Sequence, residues 1–241
     1  MLHDARLVPA VMSAYAEGAF PMADPVSGEL GWYCPDPRAV LAIDPNSCPP
    51  GTGSGLHVPR SLRRALNRGD VFVTTNRAFA RVIRACAEPR VETENASAET
   101  WIDGRIIGLF AALHRAGHAH SVEAWSTDDR PPRLIGGVYG LAVGRVFAAE
   151  SMFTKRSDAG KIALIALVRH LESRGFTLMD TQFVNPHVRR FGVVEIPSSV
   201  YLDHLSVSLG PVGWLGEAGL DVLHGKPPGA GDGSAADQGE G

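Results

Sequence analysis

The stretch that decides the fold runs from residue 146 to residue 183 and reads VFAAESMFTKRSDAGKIALIALVRHLESRGFTLMDTQF. Its centre, residues 161–168, is almost continuously apolar, which is typical of a buried helix. Ser157 or Asp158 can cap this helix, and Gly175 can end it. Strands are predicted on either side, over residues 146–152 and 177–183.

Further elements are predicted on the N-terminal side of this stretch. Strands are expected over 119–125 and 134–143, and the tight Gly144–Arg145 turn joins the second of them to the strand at 146. Helices are expected over 61–67, 78–87 and 102–115, with a strand over 71–74. The order predicts an α+β fold whose central, mostly antiparallel sheet is flanked by helices, as in the core of GCN5-related N-acetyltransferases.

The composition divides the chain into three parts. Residues 1–58 are expected to form a small N-terminal domain that ends in a Pro/Gly-rich linker, Pro45–Gly55. Residues 59–224 form the main domain. Residues 225–241 are rich in Gly and contain no large apolar side chain, so they are expected to be a disordered tail.

The charge is unevenly distributed along the chain. The formal net charge is −3, which by itself argues against a nucleic-acid partner. Residues 59–90, however, hold eight arginines against only Asp70 and Glu88. Four of these arginines lie near one side of the predicted helix at 61–67: Arg60, Arg63, Arg64 and Arg68. Like charges at this spacing repel one another and add no stability to the helix, which suggests a role in binding phosphates. A run of charges can also be simply a solvated face, so both interpretations stay open.

Several classes of protein are disfavoured by the sequence. The three cysteines, Cys34, Cys48 and Cys86, form no C-x-x-C pair, which predicts reduced thiols in a cytoplasmic protein. The nine histidines show no metal-ligand spacing, so no metal is expected. There is no apolar run long enough for a membrane span.

Three polar residues are candidates for chemistry. Asp180 and Gln182 share one face of the last strand, with α-carbons about 7 Å apart. A carboxylate inside an apolar strand is costly unless it is bonded or used. Asp180 could accept a proton while Gln182 orients the reactants. Alternatively, Asp180 caps a helix near Asn185 or pairs with an arginine. Glu150, at the end of its strand, is either a third member of this site or a solvated residue.

An acetyltransferase of the usual kind would also need a loop for the pyrophosphate of coenzyme A. The nearest match, Arg133–Val138, lies in a predicted strand and lacks the last small residue of that loop. The Gly160–Lys161 pair does not complete a phosphate-binding loop either. The sequence therefore predicts an acyl donor other than an acyl-CoA.

Short motifs occur in a fixed order between residues 14 and 205. They are AYAEGAFPM (14–22), WYCPDPRAVL (32–41), HVPRSL (57–62), TWI (100–102), LHRAGHAHSVEAW (113–125), GGVYG (136–140), ESMF (150–153), DTQ (180–182) and EIP (195–197). In sequence and spacing they resemble the leucyl/phenylalanyl-tRNA–protein transferase family. The resemblance implies a small N-terminal domain on an acetyltransferase-like C-terminal domain.

The same resemblance implies an activity. Family members transfer Leu, Phe or Met from aminoacyl-tRNA to the α-amine of proteins that begin with Arg or Lys, which marks those proteins for degradation by the N-degron pathway. The aminoacyl ester is already activated, so no ATP, metal, CoA or other cofactor is expected. A cytoplasmic monomer without a membrane partner is expected.

The resemblance also implies roles for individual residues. Asp180 would take the proton of the amine through a relay that involves Gln182, and Glu150 would bind the cationic acceptor. The residues implied for the terminal adenosine are Trp101, Trp32, Tyr33 and Met22, the last at a position where many members carry Trp. The pocket for the Leu or Phe side chain is expected from Phe153, Val138, Met179 and Leu164. The acceptor-stem phosphates would be held by Arg60, Arg63, Arg64 and Arg68, while Asn67 replaces a basic residue.

Two other functions compete with this interpretation. The first is an ordinary acyl-CoA N-acetyltransferase, which protection by acetyl-CoA against thermal unfolding would support. The second is a non-catalytic protein that binds tRNA or peptides on the same fold. Retention of the biological effect in an Asp180→Ala variant would support it.

Overall fold

A computed structural model describes residues 4–24, 27–89 and 100–210 of the chain. The helices are α1 (Asp4–Ala16), α2 (Arg60–Asn67), α3 (Phe79–Cys86), α4 (Gly104–Arg115), α5 (Ala159–Ser173), α6 (Pro186–Arg189) and α7 (Ser198–Ser208). The strands are β1 (Phe20–Ala23), β2 (Leu30–Tyr33), β3 (Arg38–Ala42), β4 (Val71–Thr75), β5 (Ala119–Ser126), β6 (Leu134–Val143), β7 (Val146–Thr154), β8 (Leu178–Gln182) and β9 (Val194–Ile196).

Seven of the strands form one twisted sheet in the order β4-β5-β6-β7-β8-β3-β9. Only the β7–β8 pair is parallel, because α5 connects these two strands. Strands β1 and β2 form a separate antiparallel hairpin. The predicted mixed fold, with a mostly antiparallel central sheet between helices, is confirmed.

Two hydrophobic clusters cover the two faces of the sheet. The first cluster includes Phe110 and Leu178 and lies under α1, α3 and α4. The second includes Leu167 and Met179 and lies under α2 and α5. Neighbouring residues such as Leu178 and Met179 belong to different clusters because successive side chains of a strand point to opposite faces. Asp180 therefore lies on the face of the first cluster.

The predicted elements of the main domain are present, and most of their ends differ by one or two residues. Helix α4 begins at Gly104 because the Asp103 carboxylate accepts hydrogen bonds from the backbone N–H groups of Arg105 and Ile106. Asp158 is the N-cap of α5, but its side chain makes no capping bond. Its carboxylate instead lies 2.8 Å from Nζ of Lys161.

The N-terminal segment contributes to the main sheet. β3 lies within residues 1–58, yet it pairs with both β8 and β9. The Pro/Gly-rich run Pro45–Gly55 is attached to the main body, since the Cys48 thiol donates to the Thr177 carbonyl oxygen and Thr52 is buried. A domain boundary at residue 58 would therefore divide the sheet, because β3 lies before it and the two strands that pair with β3 lie after it. The division into domains stays a prediction.

Other expectations concern the tail, the thiols and the membrane. The proposed tail, 225–241, lies outside the described residues. The three cysteines are free thiols. Within residues 4–24, 27–89 and 100–210, no helix is long and apolar enough to cross a membrane.

Candidate active site

The site lies where two parallel strands separate. β7 and β8 pair as far as Ala148 and Asp180, after which β7 continues to Thr154. A β-bulge in the β6–β7 ladder leaves Glu150 without a partner residue on β6. Gln182 is the last residue of β8. The separation places these two polar side chains opposite each other at the end of the parallel pair.

A buried ion pair lies beneath this opening. Two nitrogen atoms of the Arg38 guanidinium donate to the two oxygens of the Asp180 carboxylate. Nε lies 2.9 Å from Oδ1, and Nη2 lies 2.5 Å from Oδ2. The two side chains are 1% and 0% exposed. Arg38 also donates to the Gly18 carbonyl oxygen at 2.8 Å. Burial by itself would lower the pKa of Arg38, but the charge and hydrogen bonds of Asp180 outweigh it and raise that pKa.

Two more donors complete the environment of Asp180. The Tyr201 hydroxyl donates to Oδ2 at 3.1 Å, and the backbone N–H of Gln182 donates to Oδ1 at 2.8 Å. Burial and the Asp180 charge raise the pKa of Tyr201, so its hydroxyl stays a donor. A carboxylate has about four lone-pair positions. Four hydrogen bonds fill them, which leaves Asp180 no acceptor position for the proton of a substrate.

Gln182 has an unusual backbone conformation. Its φ is +58°, a left-handed value that is uncommon outside glycine, and the N–H of Phe183 donates to the Thr181 carbonyl oxygen at 2.6 Å. The bond from the Gln182 N–H to Asp180 holds this turn. The turn directs the Gln182 side chain to Glu150, where Nε2 lies 3.2 Å from Oε1. Asp180 thus positions Gln182 through its backbone.

The surroundings of Glu150 favour the neutral form of its carboxyl group. Its Oε1 also accepts from the Tyr15 hydroxyl at 2.9 Å, whereas Oε2 has no hydrogen-bond partner among the described residues. Burial, supported by the negative charge of Asp180, raises the pKa of Glu150 to about 8 although the Tyr15 hydrogen bond and Arg38 oppose the shift. Glu150 is therefore largely protonated at neutral pH, and Oε2 is the atom that can meet a substrate.

The structure brings together the three predicted catalytic residues, Asp180, Gln182 and Glu150. Of the alternatives for Asp180, pairing with an arginine is confirmed. Capping near Asn185 is wrong, since the Asn185 side chain itself caps α6. The solvated alternative for Glu150 is also wrong, because Tyr15 and Gln182 bind its carboxyl group.

The residues predicted for the aminoacyl-adenosine end lie in different surroundings. Met22, Tyr33 and Trp101 pack against the first cluster, on the face of the sheet that carries Asp180. Trp32 is 53% exposed, across the β1–β2 hairpin from Pro21. The Tyr33 ring lies over Gly31, at distances that leave little room for a larger residue there.

The four predicted pocket residues do not share one wall. Phe153 belongs to the first cluster. Val138, Met179 and Leu164 belong to the second cluster, under α5. All four are buried.

The predicted phosphate-binding arginines are all on the surface. α2 buries Leu62, Ala65 and Leu66 against the second cluster and leaves its basic side chains exposed. The exposed set is Arg60, Arg63, Arg64 and Arg68. Of these, Arg68 forms an exposed ion pair with Asp70 at 3.4 Å.

Sequence reasoning missed three residues of the site, namely Arg38, Tyr15 and Tyr201. Arg38 and Tyr15 lie inside recognised motifs, but neither was assigned a role. The available signal was an arginine immediately before the apolar run Ala39–Ala42, since a charge that enters a buried strand needs a partner. Tyr201 lies beyond the motifs, and no signal for it is apparent in the sequence.

These features suit an enzyme of group transfer, in which fixed side chains must orient two substrates. An ion pair, a strained turn and two tyrosines all serve to position one amide and one carboxyl group, which is an arrangement suited to orienting two substrates. No cluster of three or more metal-ligating side chains occurs in the described part of the chain.

The chain belongs to the leucyl/phenylalanyl-tRNA–protein transferase family, whose members are aminoacyltransferases. The family model "Leucyl/phenylalanyl-tRNA protein transferase" matches residues 52–206, and the model of the N-terminal domain of that family matches residues 7–36. The resemblance drawn from the motifs is confirmed.

Curated relatives support this membership over most of the chain. Proteins named leucyl/phenylalanyl-tRNA–protein transferase are 43% identical in Akkermansia muciniphila, over 81% of this chain and 93% of that protein, and 42% identical in Salinibacter ruber, over 85% and 81%. The protein of that name in Rubrobacter xylanophilus is 44% identical, over 85% and 96%. A solved structure, of L-PGS from Bacillus licheniformis, has a TM-score of 0.40 at 10% identity, over 73% of this chain and 65% of that one, which is too weak to support an argument.

Proposed function

We propose that this protein transfers Leu, Phe or Met from aminoacyl-tRNA to the α-amine of proteins that begin with Arg or Lys, and so marks them for degradation by the N-degron pathway. It would act in the cytoplasm, as a monomer and without a cofactor. The observation that carries the proposal is the juxtaposition of Glu150 and Gln182 above the buried Arg38–Asp180 pair, within a chain of this family.

The reaction balances without a further reagent. The neutral amine attacks the carbonyl carbon of the aminoacyl ester, a C–N bond forms, and the ester C–O bond breaks. The amine proton ends on the ribose hydroxyl that leaves. An α-amine has a pKa of about 7.7 to 8.0, so a useful fraction is neutral near pH 7.

The side chains of the site would act chiefly by orientation. Gln182 offers an amide that can hold the donor aminoacyl group. Glu150 offers Oε2 to the incoming amine or to the basic side chain beside it, and a cationic group that binds there would displace the Glu150 proton to solvent. Since the acceptor positions of Asp180 are full, the geometry favours a positioning role for Asp180 over the proton relay expected from the resemblance.

The donor end would be bound by aromatic and apolar groups. Trp101, Tyr33 and Trp32 are the proposed stacking partners for the terminal adenosine, with Met22 opposite Gly31 on the hairpin that carries Tyr33 and Trp32. Stacking on an aromatic ring contributes about 1 to 3 kcal/mol per base. Of the residues predicted for the side-chain pocket, Phe153 shares the face of the sheet with Asp180 and is the proposed pocket residue, whereas Val138, Met179 and Leu164 lie on the other face.

A transfer assay tests the function directly. Purified protein with Phe-tRNA is expected to add Phe to a peptide that begins with Arg or Lys but not to the matched peptide that begins with Asp. Parallel reactions with Leu-tRNA and Met-tRNA, followed by mass spectrometry, rank the three donors. Failure to modify any basic N-terminus with all three donors would refute the proposal.

The α2 arginines predict a salt-dependent use of tRNA. Reversing two exposed charges, Arg64→Glu and Arg68→Glu, removes attraction for phosphates, so KM for aminoacyl-tRNA should rise about tenfold or more while KM for the peptide changes little. Wild-type transfer should also fall as salt increases. Equal effects on both KM values would contradict this role of α2.

A further inference from the structure

Helix α3 carries a second row of exposed arginines. Arg81 and Arg84 lie three residues apart on its outer side. Arg77 is exposed just before the N-cap, four residues ahead of Arg81. The opposite side of α3 is buried in the first cluster through residues such as Phe79 and Val82. The row is therefore the solvent side of a helix whose inner side is fixed to the sheet.

The charges of these three arginines are not neutralised by carboxylates of the described residues. Among the described residues, no carboxylate forms an ion pair with Arg77, Arg81 or Arg84. Three basic side chains before and at the start of α5, by contrast, each have an acidic partner: Lys155 pairs with Glu88 at 2.9 Å, Arg156 with Asp70 at 3.3 Å and Lys161 with Asp158 at 2.8 Å. The neighbouring positive charges on α3 therefore repel one another, and no ion pair within the described residues offsets this repulsion. The row does not stabilise the free protein.

One arginine of the row is held in place. The Arg81 guanidinium lies 5.1 Å from the centre of the Trp125 ring. The ring is itself fixed, since its Nε1 donates to the Thr74 hydroxyl at 2.8 Å and Thr74 donates to the buried Glu123 at 2.5 Å. A guanidinium that is already ordered loses less entropy when it binds an anion.

The row extends the basic surface around one edge of the sheet. β4 is the edge strand, α2 precedes it and α3 follows it. α2 packs on the face of the second cluster and α3 on the face of the first. Exposed arginines therefore flank both sides of this edge. α3 also packs against β7, the strand that carries Glu150.

We propose that Arg77, Arg81 and Arg84 form a second contact surface for the phosphate backbone of the donor tRNA, additional to α2. This inference rests on the proposed function, because it assumes that tRNA is the donor. A nucleic-acid duplex is the partner that fits, since its regularly spaced phosphates complement a row of unpaired arginines and carry no requirement for base readout.

The test compares two donors. One is intact Phe-tRNA, and the other is 3′-phenylalanyl-adenosine, which has the reacting ester but no stem. Arg84→Glu should raise KM for Phe-tRNA about tenfold and leave KM for the short donor unchanged. Arg169→Glu, another exposed arginine near the end of a helix, is the matched control and should change neither value. An unchanged KM for the short donor shows that the variant is folded.

Direct binding separates this proposal from the proposed function. Arg77→Glu with Arg84→Glu should lower the slope of log affinity for uncharged tRNA against log salt by about 2. If wild type transfers from both donors but Arg84→Glu behaves like Arg169→Glu, the α3 surface is refuted and the function stands. If wild type transfers from neither donor, the function is refuted, and the salt slope alone decides whether α3 binds tRNA. An effect of Arg84→Glu only on acidic protein acceptors would make α3 a protein-docking surface and overturn the proposal.

Discussion

Asp180→Ala is expected to lower the free energy of unfolding by about 3 to 5 kcal/mol and to reduce transfer at least about a hundredfold. The stability loss arises because Arg38 would stay buried without its carboxylate. The activity loss arises because the N–H of Gln182 would lose the acceptor that holds its left-handed turn. Urea denaturation and the transfer assay measure the two effects separately.

A double-mutant cycle tells whether the ion pair itself is responsible. Removing both charges, with Arg38→Met and Asp180→Ala, should cost less than the sum of the single changes because no unpaired buried charge is left. Transfer should stay low, since Gln182 still lacks its anchor. Glu195→Ala breaks the exposed pair with Arg189, which is 3.3 Å long, and should change stability by less than about 1 kcal/mol. Strictly additive stability losses in the cycle would contradict the ion pair as the source of the stability loss. Full transfer by Asp180→Ala would contradict the positioning role of Asp180.

Much of the main domain could be predicted from periodicity. The predicted bounds of β6 agree with the structure, and α5 was recognisable because a long apolar run between two strands has few other solutions. β3 was missed as part of the sheet, since its five residues are too few for apolar periodicity to identify a strand. Its place between β8 and β9 depends on pairing over long sequence distances, which local patterns do not encode.

The site was predictable in its members and less so in its mechanism. Alternation along one strand placed Asp180 and Gln182 together, and the motifs singled out Glu150. Alternation could not reveal that Arg38, on the neighbouring strand β3, donates hydrogen bonds to both oxygens of the Asp180 carboxylate. This contact changes the expected role of Asp180 from accepting a proton to holding a backbone. A contact between distant segments can thus reverse a role that composition and spacing favour.

Glu150→Gln should reveal the displaced titration of Glu150 as a pH-dependent difference in stability. The folded protein holds the Glu150 proton up to about pH 8, whereas the unfolded chain releases it near pH 4.5, the ordinary pKa of a glutamate side chain. Between these values the folded state binds more protons, so the wild-type free energy of unfolding falls as pH rises, by up to about 1.4 kcal/mol per pH unit. The stabilising contribution is complete below pH 4.5 and lost above pH 8.

The glutamine variant has no carboxyl group to titrate, but it can keep the hydrogen bonds because its amide oxygen can accept from Tyr15 and Gln182 as Oε1 does. Relative to wild type, Glu150→Gln should therefore gain stability steadily from pH 5 to pH 8 and gain no more above that range. Glu172→Gln, on the exposed side of α5, makes the same chemical change and controls for the substitution itself. Urea denaturation at each pH gives the comparison. A constant difference between wild type and Glu150→Gln over this range would mean that Glu150 is ionised at neutral pH, and an amine could then bind it without the release of a proton.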